Sequence, residues 1–460
     1  MRIPRLLVSA LRGGAGKTLL SLGLARALTR QGYKVKPCKK GPDYIDAAWL
    51  ARAAHCACTN LDPFFLNAEE LRALLAHVWQ PHHALALIEG NRGLFDGRDV
   101  HGSCSSAELA RILDAPVLLS LDITKMTRTS AAVVAGLASF EPDVRLAGVV
   151  LNQAASSRHE TIVRRSLETY TDIPVLGALP RLTGNPLPER HMGLVDVGEH
   201  PATEALLDRL ADTVTAHTDL PRIRAVADAA PALNTPPAFW PAPCEASSVP
   251  PVRIGYVRDA ALWFYYAENF EALRRAGAEL VELSLLDPRP WPEDLAGLYL
   301  GGGFPEEWVE QLSGSPHLAH IRALSEAGLP IYAECGGFML LSTAIVREQR
   351  VWPMSGVFPV RAHFYPRPQG LGYVEARVTR PTPFHPQGSL LRGHEFHYSR
   401  CEADENIDAL CSLRLESGVG MGQGQDGLLL RNTFAAYTHL YAPSTPHWAP
   451  HFVALARRGL

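Results

Sequence analysis

Long apolar runs, paired cysteines and a strong charge of either sign are all missing from this chain of 460 residues. No stretch approaches the roughly eighteen apolar residues that a membrane-spanning helix needs. The eight cysteines show no C-x-x-C spacing, which argues against structural zinc and against a disulfide framework. A net charge of −3 gives no reason to expect a nucleic acid or a membrane surface as partner. The sequence therefore predicts a protein of the reducing cytoplasm.

A proline-rich segment indicates where the chain divides. Residues 230–251 contain seven prolines and no apolar period, which is typical of an extended linker. On both sides of it, continuous apolar runs alternate with helical patterns, as in sheets that are buried on both faces. We therefore expect two α/β domains with doubly wound, mainly parallel sheets, at residues 1–229 and 252–460.

The first domain begins with a strand, a glycine-rich loop and a helix, which is the context of a P-loop. In such a loop the backbone N–H groups hold phosphates, the lysine reaches the outer phosphates and the threonine binds magnesium. The first glycine of the usual motif is replaced by Leu11, and the loop is similar to the deviant loops of dethiobiotin synthetases and septum-site ATPases. ATP and Mg²⁺ are the predicted cofactors. The predicted ATP-binding residues of the loop are Gly13, Gly14, Gly16, Lys17 and Thr18.

Acidic residues follow the second and third predicted strands of this domain, where loops of open α/β sheets face their ligands. These positions place carboxylates near the phosphates, where magnesium must be held. Asn152, at the end of a later strand, is a candidate for reading the adenine, with a turn-forming role as the alternative. The acidic candidates are Asp43, Asp46, Glu89 and Asp96.

The second domain contains an apolar strand that runs into Glu334-Cys335-Gly336-Gly337 and then into a helical pattern. This order presents the cysteine on a sharp strand-to-helix turn, like the nucleophile elbow of serine hydrolases. We expect the following helix N-terminus to favour the thiolate over the thiol. A buried core cysteine is the alternative, because lone cysteines usually lie in cores.

Two other segments favour the nucleophile. Gly302 and Gly303 end a strand and offer N–H groups for an oxyanion hole, and His439 lies at a strand end far downstream. The set resembles the triad-type glutamine amidotransferase domain of cobyrinic and cobyric acid synthases. That resemblance implies that Cys335 attacks the glutamine amide and that His439 moves the proton. The common triad has a glutamate two residues after the histidine, whereas this chain has Tyr441, so the third member is not visible.

Further motifs extend the resemblance to nearly the whole chain. Lys-Gly-Pro-Asp-Tyr-Ile-Asp at 40–46, Glu-Gly-Asn-Arg-Gly-Leu-Phe-Asp-Gly at 89–97, Glu-Arg-His-Met-Gly-Leu at 189–194 and Gly-His-Glu-Phe-His-Tyr-Ser at 393–399 all resemble the cobyrinate a,c-diamide synthase family. The family implies that glutamine supplies ammonia and that ATP activates a carboxylate of an anionic tetrapyrrole as an acyl phosphate. Glutamine and that tetrapyrrole are the implied partners, and a homodimer is left open.

The resemblance also implies site residues. Those implied for the metal are Thr18, Asp43 and Glu89. Those implied for the substrate or its acyl phosphate are Lys40, Asp43, Tyr44, Asp46, Asp96, Arg190 and His191.

Several alternatives stay open. Lys39-Lys40-Gly41-Pro42 and the stretch 60–64 depart from the expected vitamin-pathway pattern, so a sirohaem or metallo-sirohydrochlorin a,c-amidase with the same mechanism is a second candidate. Cobyric acid synthase fits less well. A P-loop ATPase switch with an inactive amidotransferase domain and a glutaminase-dead tetrapyrrole-binding module are the candidates from other classes. The aromatic run at 263–266 either lines the macrocycle's cleft or belongs to the core.

Overall fold

The N-terminal sheet forms because most of its strands are short, nearly continuous apolar runs that can be buried on both faces. The computed structural model describes residues 1–182, 189–190, 193–194, 203–234, 238–241, 250–403 and 406–459. The strands of this sheet are β1 (Arg5–Ala10), β2 (Val35–Lys40), β3 (Thr59–Leu61), β4 (Leu85–Glu89), β5 (Val117–Asp122), β6 (Leu146–Ala154) and β7 (Val175–Pro180). Their spatial order is β3-β2-β4-β1-β5-β6-β7, and every neighbouring pair is parallel.

Helices connect these parallel strands, as the alternating pattern predicts. The start of the third helix illustrates the local signals. The Asn67 side chain accepts hydrogen bonds from the N–H groups of Glu69 and Glu70, and the Glu70 carboxylate accepts one from the N–H of Asn67, which forms a capping box. The helices are α1 (Lys17–Arg30), α2 (Ile45–Ala54), α3 (Ala68–Val78), α4 (Ser106–Ile112), α5 (Thr129–Phe140), α6 (Ser157–Tyr170), α7 (Thr203–His217) and α8 (Leu220–Asp228). Two short strands, β8 (Glu189–Arg190) and β9 (Gly193–Leu194), pair with each other.

The chain separates into two compact units, Met1–Ala242 and Pro243–Leu460. The first residues of the proline-rich segment still pack on the N-terminal unit. Leu233 is buried there, and its carbonyl oxygen accepts a hydrogen bond of 2.7 Å from the amino group of Met1. Within the described ranges, no helix combines the length and the apolar character that crossing a membrane requires.

The sheet of the C-terminal unit is mixed. Its strands are β10 (Val252–Val257), β12 (Ala278–Leu283), β13 (Gly297–Leu300), β15 (Ile331–Glu334), β19 (Gly370–Val378), β20 (Leu390–His397), β22 (Cys411–Ser417), β23 (Gln425–Leu430), β24 (Thr433–Ala436) and β25 (His439–Leu440). In the spatial order β12-β10-β13-β15-β24-β23-β22-β19-β20-β25, the pairings as far as β24 are parallel and the later ones are antiparallel. Both units therefore confirm the predicted α/β class, although the second sheet is mixed and not mainly parallel as predicted.

Smaller elements complete this unit. A two-stranded ribbon pairs β11 (Leu262–Phe264) with β14 (Gly302–Gly303), next to the ends of the parallel strands. A second sheet contains β16 (Ala344–Arg347), β17 (Arg350–Pro353), β18 (Val360–Phe364) and β21 (Ser399–Ala403). The helices are α9 (Ala267–Arg275), α10 (Val309–Ser313), α11 (Pro316–Glu326), α12 (Gly336–Leu341) and α13 (Trp448–Arg458).

Candidate active sites

The cysteine lies on a strained turn between a strand and a helix. Cys335 follows β15 directly and precedes α12, and its backbone has φ 46° and ψ −99°. A positive φ is rare for a residue with a side chain, and such strain is typical of nucleophile elbows. The N–H of Cys335 donates to the carbonyl oxygen of Ala436 at 2.8 Å, which fixes the turn against the neighbouring strand. The backbone thus has the shape that the sequence predicts.

The predicted oxyanion glycines lie against this turn. A Cβ placed on Gly336 would stand 2.8 Å from the backbone N of Gly303, so this N–H lies beside the start of α12. A Cβ on Gly302 would stand 2.3 Å from Cε1 of His439, so the histidine ring packs directly on Gly302. The close approach on both sides requires glycine, and it brings the predicted nucleophile, donors and base to one place.

The thiol does not have the depressed pKa that the helix N-terminus suggested. Burial raises the pKa of the Cys335 thiol well above its ordinary value, and the nearby carboxylates of Glu306 and Glu334 act in the same direction. A hydrogen bond from the Gly336 N–H lowers it, but α12 is only six residues long. The surroundings of Cys335 as a whole therefore disfavour the thiolate that the helix N-terminus alone would favour, and Cys335 needs a base to lose its proton.

The predicted base, His439, sits among buried polar groups. His439 pairs across the sheet with His394, and their rings stack at 4.8 Å with an interplanar angle of 17°. Burial lowers the pKa of His394 well below its ordinary value, and His439 lowers it further, so His394 is neutral. The Nδ1 atom of His439 lies 3.6 Å from a carboxylate oxygen of Glu334.

The aromatic run at 263–266 belongs to this region. Phe264 and Tyr266 are buried, and the ring of Phe264 lies 6.3 Å from that of His439. Tyr265 accepts a hydrogen bond of 2.9 Å from the N–H of Gly301. These contacts favour the core alternative for the run.

In the N-terminal unit, the glycine-rich loop lies between β1 and α1. Gly14 and Gly16 have φ of 70° and 85°, values that favour glycine, while a side chain on Gly13 would meet open space. Lys17 donates to the carbonyl oxygen of Arg12 at 3.1 Å. Burial lowers the pKa of Lys17, although the carboxylate of Glu89 acts in the opposite direction. The loop therefore has the curled backbone and the buried lysine that phosphate binding requires.

Asn152 supports this loop. Its Nδ2 atom donates to the carbonyl oxygen of Ala15 at 3.3 Å, and a Cβ on Gly16 would stand 2.1 Å from that same nitrogen. Ser120 donates to the same carbonyl oxygen at 3.1 Å. These contacts favour a role in holding the loop, and reading of the adenine stays a prediction.

A cluster of carboxylates gathers around one buried lysine beside the loop. Lys39 donates to Asp46 at 2.6 Å and to Glu89 at 2.8 Å, and it lies 3.6 Å from Asp43. Thr18 donates to the same Glu89 oxygen at 2.9 Å. Three of the predicted acidic residues and the P-loop threonine are thus brought together.

Burial sets the charges of this cluster. It raises the pKa of Asp43 to about 7, and the charge of Asp46 adds to the effect. Burial also raises the pKa of Glu89. For Lys39 burial alone would lower the pKa, but the three carboxylates outweigh it, so its pKa lies well above the ordinary value. The lysine therefore stays charged and holds the carboxylates together.

Lys40 points away from this cluster, because successive side chains of a strand alternate. Its ammonium lies 3.9 Å from the buried carboxylate of Asp62. Asn60 donates to the carbonyl oxygens of Gly41 and Asp43 at 2.8 and 2.9 Å. The unusual residues Lys40, Asn60 and Asp62 thus support the loop that carries Asp43, and a substrate contact of Lys40 stays a prediction.

The remaining candidates are distributed as follows. Asp96 accepts a hydrogen bond of 2.9 Å from the N–H of Gly93, and the loop of Gly93 packs on the carbonyl oxygen of Leu11 at the start of the P-loop. Tyr44 lies at the N-terminus of α2 and is half-buried. Arg190 lies in β8, and His191 is outside the described residues.

Comparison with known proteins adds the family. Residues 6–195 match the CobQ/CobB/MinD/ParA nucleotide binding domain, and residues 253–446 match the CobB/CobQ-like glutamine amidotransferase domain. A cobyrinate a,c-diamide synthase of Magnetococcus marinus is 41% identical over 460 residues, covering 98% of this chain and 96% of the relative. The chain belongs to the cobyrinate a,c-diamide synthase family.

Two further members of the family show the same extent of similarity. A cobyrinate a,c-diamide synthase of Syntrophotalea carbinolica is 40% identical and covers 99% of both chains. A hydrogenobyrinate a,c-diamide synthase of Brucella anthropi is 38% identical, covering 94% of this chain and 97% of the relative. The resemblance drawn from the motifs is confirmed, and the chain is a glutamine-dependent amidating ligase with a nucleotide-binding domain.

Two residues beside the sites are not among those predicted. Lys39 is adjacent to the predicted Lys40, and only the facing of β2 shows which of the two lysines meets the carboxylates. Glu334 is adjacent to the predicted Cys335, and its approach to His439 depends on strands that are distant in sequence. In both cases the sequence motif identifies the segment, but it does not show which side chain makes the contact.

Proposed function

We propose that this enzyme amidates the a and c acetate side chains of cobyrinate or hydrogenobyrinate, with glutamine as nitrogen donor and ATP as activator. The observation that carries the proposal is the similarity to synthases of these substrates over nearly the full length of both chains. The nucleophile turn and the P-loop with its carboxylates both lie within the matched ranges.

The first half-reaction releases ammonia from glutamine. His439 takes the thiol proton, and Cys335 sulfur attacks the side-chain amide carbon. The Gly303 N–H, with Gly302 next to it, stabilises the oxyanion of the tetrahedral intermediate. Collapse of the intermediate breaks the C–N bond, His439 protonates the leaving nitrogen, and water then hydrolyses the thioester to glutamate.

The second half-reaction uses that ammonia. A free carboxylate is a poor electrophile, so one of its oxygens first attacks the γ-phosphorus of ATP, which gives an acyl phosphate and ADP. Ammonia then attacks the acyl carbon, and phosphate leaves. Lys17 and the loop N–H groups neutralise the phosphates during the transfer. We assign Asp43, Asp46 and Asp96 to positioning the substrate carboxylate and to accepting the proton that ammonia loses.

The oxygen donors beside the P-loop fit magnesium. This ion is usually bound by one or two carboxylates together with phosphate oxygens and water. The Thr18 hydroxyl and the Glu89 carboxylate lie 2.9 Å apart at the loop, and we assign them to the ion, with Asp43 as a further candidate. When bound, it would neutralise phosphate charge. Over the described residues, no group of three or more His, Cys, Asp or Glu side chains is arranged to hold a metal ion by itself.

An amidation assay followed by mass spectrometry tests this function. The enzyme receives ATP, Mg²⁺ and glutamine with cobyrinate, hydrogenobyrinate or sirohaem in parallel. We expect cobyrinate or hydrogenobyrinate to show the mass change of replacing two carboxyl OH groups by NH2. Modification of sirohaem alone would move the enzyme to the sirohaem branch. Modification of none of the three would contradict an amidating function for these macrocycles.

A further inference from the structure

The glutaminase site has no carboxylate at the usual position of the third triad residue. The residue two positions after His439 is Tyr441, which is buried and packs its ring 5.0 Å from that of Tyr266. A histidine base needs a partner at Nδ1, because that partner fixes the ring orientation and stabilises the imidazolium that forms during catalysis.

A carboxylate reaches the histidine from another strand. Glu334 is the last residue of β15, directly before the nucleophile, and its Oε2 atom lies 3.6 Å from Nδ1 of His439. The side chains of both residues are 1% exposed. We propose that Glu334 is the positioning residue that orients His439 in place of the missing triad carboxylate; this role rests on the proposed glutaminase function.

The carboxylate is itself held firmly. Its Oε1 atom accepts a hydrogen bond of 3.0 Å from the N–H of Leu440, and Oε2 accepts one of 3.2 Å from the hydroxyl of Tyr299. Asn269 donates to Tyr299 and to the carbonyl oxygen of Leu440, at 3.1 and 2.9 Å. Glu334 is therefore tied to the short strand that carries His439, and the same carboxylate approaches the Nδ1 side of the ring.

This arrangement leaves the other ring nitrogen facing the reaction. A Cβ on Gly302 would stand 3.2 Å from Nε2 of His439, so this nitrogen faces the predicted oxyanion glycines. An anion at Nδ1 favours the tautomer with its proton there, in which Nε2 carries no proton and can accept that of the thiol. Other titratable groups near His439 include the stacked His394, whose Nδ1 lies 3.3 Å from the hydroxyl of Tyr266, and Tyr299, whose hydroxyl donates to the same Glu334 oxygen.

The test compares Glu334→Gln with the wild type in glutamine hydrolysis and in ammonia-dependent amidation. Glutamine keeps the shape and an oxygen for the Leu440 N–H but removes the charge. We expect kcat for glutamine hydrolysis to fall about 10²–10⁴-fold, as when a triad carboxylate is made neutral, with KM nearly unchanged. We expect the limb of the pH–rate profile that reports the base to move to lower pH, because the imidazolium loses its anion.

Glu395→Gln is the matched control. Glu395 is equally buried, lies 3.3 Å from a histidine, His397, and accepts hydrogen bonds from the N–H groups of Val419 and Gly420. Its loss should affect stability more than kcat. A Glu334→Gln enzyme that hydrolyses glutamine within a few-fold of the wild-type rate would overturn the proposal. Wild type that hydrolyses no glutamine would instead contradict the proposed function.

A second variant covers a folding defect. If Glu334→Gln also loses ammonia-dependent amidation or its thermal transition, Glu334→Asp keeps the charge with a shorter side chain. Partial recovery of glutamine hydrolysis by the aspartate variant supports the proposal. Equal loss in both variants, with ammonia-dependent amidation retained in the aspartate variant, contradicts it.

Discussion

At the scale of single residues, the two sites differ in the charges that they bury. In the glutaminase site, the buried Cys335 is kept as a thiol by its surroundings, so the reaction depends on a well-oriented base. In the P-loop unit, Asp43, Asp46 and Glu89 are kept close together by the ammonium of Lys39. We therefore expect Lys39 to matter for the stability of the fold as well as for catalysis.

Lys39→Met tests that requirement. Removing the ammonium leaves buried carboxylates without a counter-charge, and breaking a buried ion pair in this way typically costs about 3–5 kcal/mol. We expect a loss of this size in the free energy of unfolding, measured by urea denaturation at neutral pH, together with loss of amidation. Lys34→Met, at an exposed position just before the same strand, is the matched control and should be neutral. Equal stability of the two variants would contradict the role given to Lys39.

At the scale of elements, the parallel strands are predictable and the antiparallel ones are not. A fully buried strand such as β5 is a continuous apolar run, so its existence and its carboxyl-end loop follow from the sequence. The strand β19 instead alternates buried and exposed residues and contains two glycines, and its pattern alone does not separate it from loop. The pairing of β20 with β25 brings His394 next to His439. The hydrophobic pattern of the sequence does not predict contacts of this kind in the antiparallel half of the sheet.

The same limit applies inside the sites. The order strand, glycines, helix identifies the turn at Cys335 and the loop at Lys17, because local geometry demands it. Which of Lys39 and Lys40 meets the carboxylates depends on the facing of one strand, and the partner of His439 depends on pairing between distant strands. Sequence thus predicts the chemistry-bearing segments, while tertiary packing selects the side chains.

The N-terminus of α13 carries a partly buried histidine cluster that predicts an acid-sensitive element. His447 lies 3.1 Å from a ring nitrogen of His385, whose other nitrogen lies 3.1 Å from the hydroxyl of Tyr332. Burial lowers the pKa of His447 to about 4, and His451 adds to the effect. The unfolded chain, with an ordinary value of 6.5, binds the proton first, so stability present above that pH is lost as the pH falls from 6.5 towards 4.

His447→Gln removes this proton-linked loss, because an amide does not titrate. We expect the free energy of unfolding of the variant to fall less steeply than that of the wild type between pH 7 and pH 4.5, measured by urea denaturation with matched buffers. His320→Gln, at an exposed position in α11, controls for the loss of any one histidine. Parallel pH profiles of the His447 variant and the wild type would contradict the proton-linked loss assigned to His447.

At the scale of the whole molecule, two compact units carry two halves of one reaction. The family requires both halves, and each unit contains its own nucleophile or phosphate loop within the range that matches its domain family. A substitution in one unit should therefore remove one half-reaction. Comparing glutamine with ammonia as nitrogen source shows which half is lost. This makes ammonia the natural probe, because added ammonia bypasses glutamine hydrolysis and enters at its attack on the activated carboxylate.

Cys335→Ala and Lys17→Ala form the corresponding pair. Cys335→Ala removes the nucleophile, so glutamine-dependent amidation should be lost while amidation with saturating ammonia is kept. Lys17→Ala removes the charge that the phosphates need, so amidation should be lost with either nitrogen source although the protein stays folded. Both activities are measured by mass spectrometry of the macrocycle, with circular dichroism as the folding control. Amidation by the Lys17 variant would mean that nucleotide binds elsewhere, and loss of both activities in a folded Cys335 variant would break the division of labour between the units.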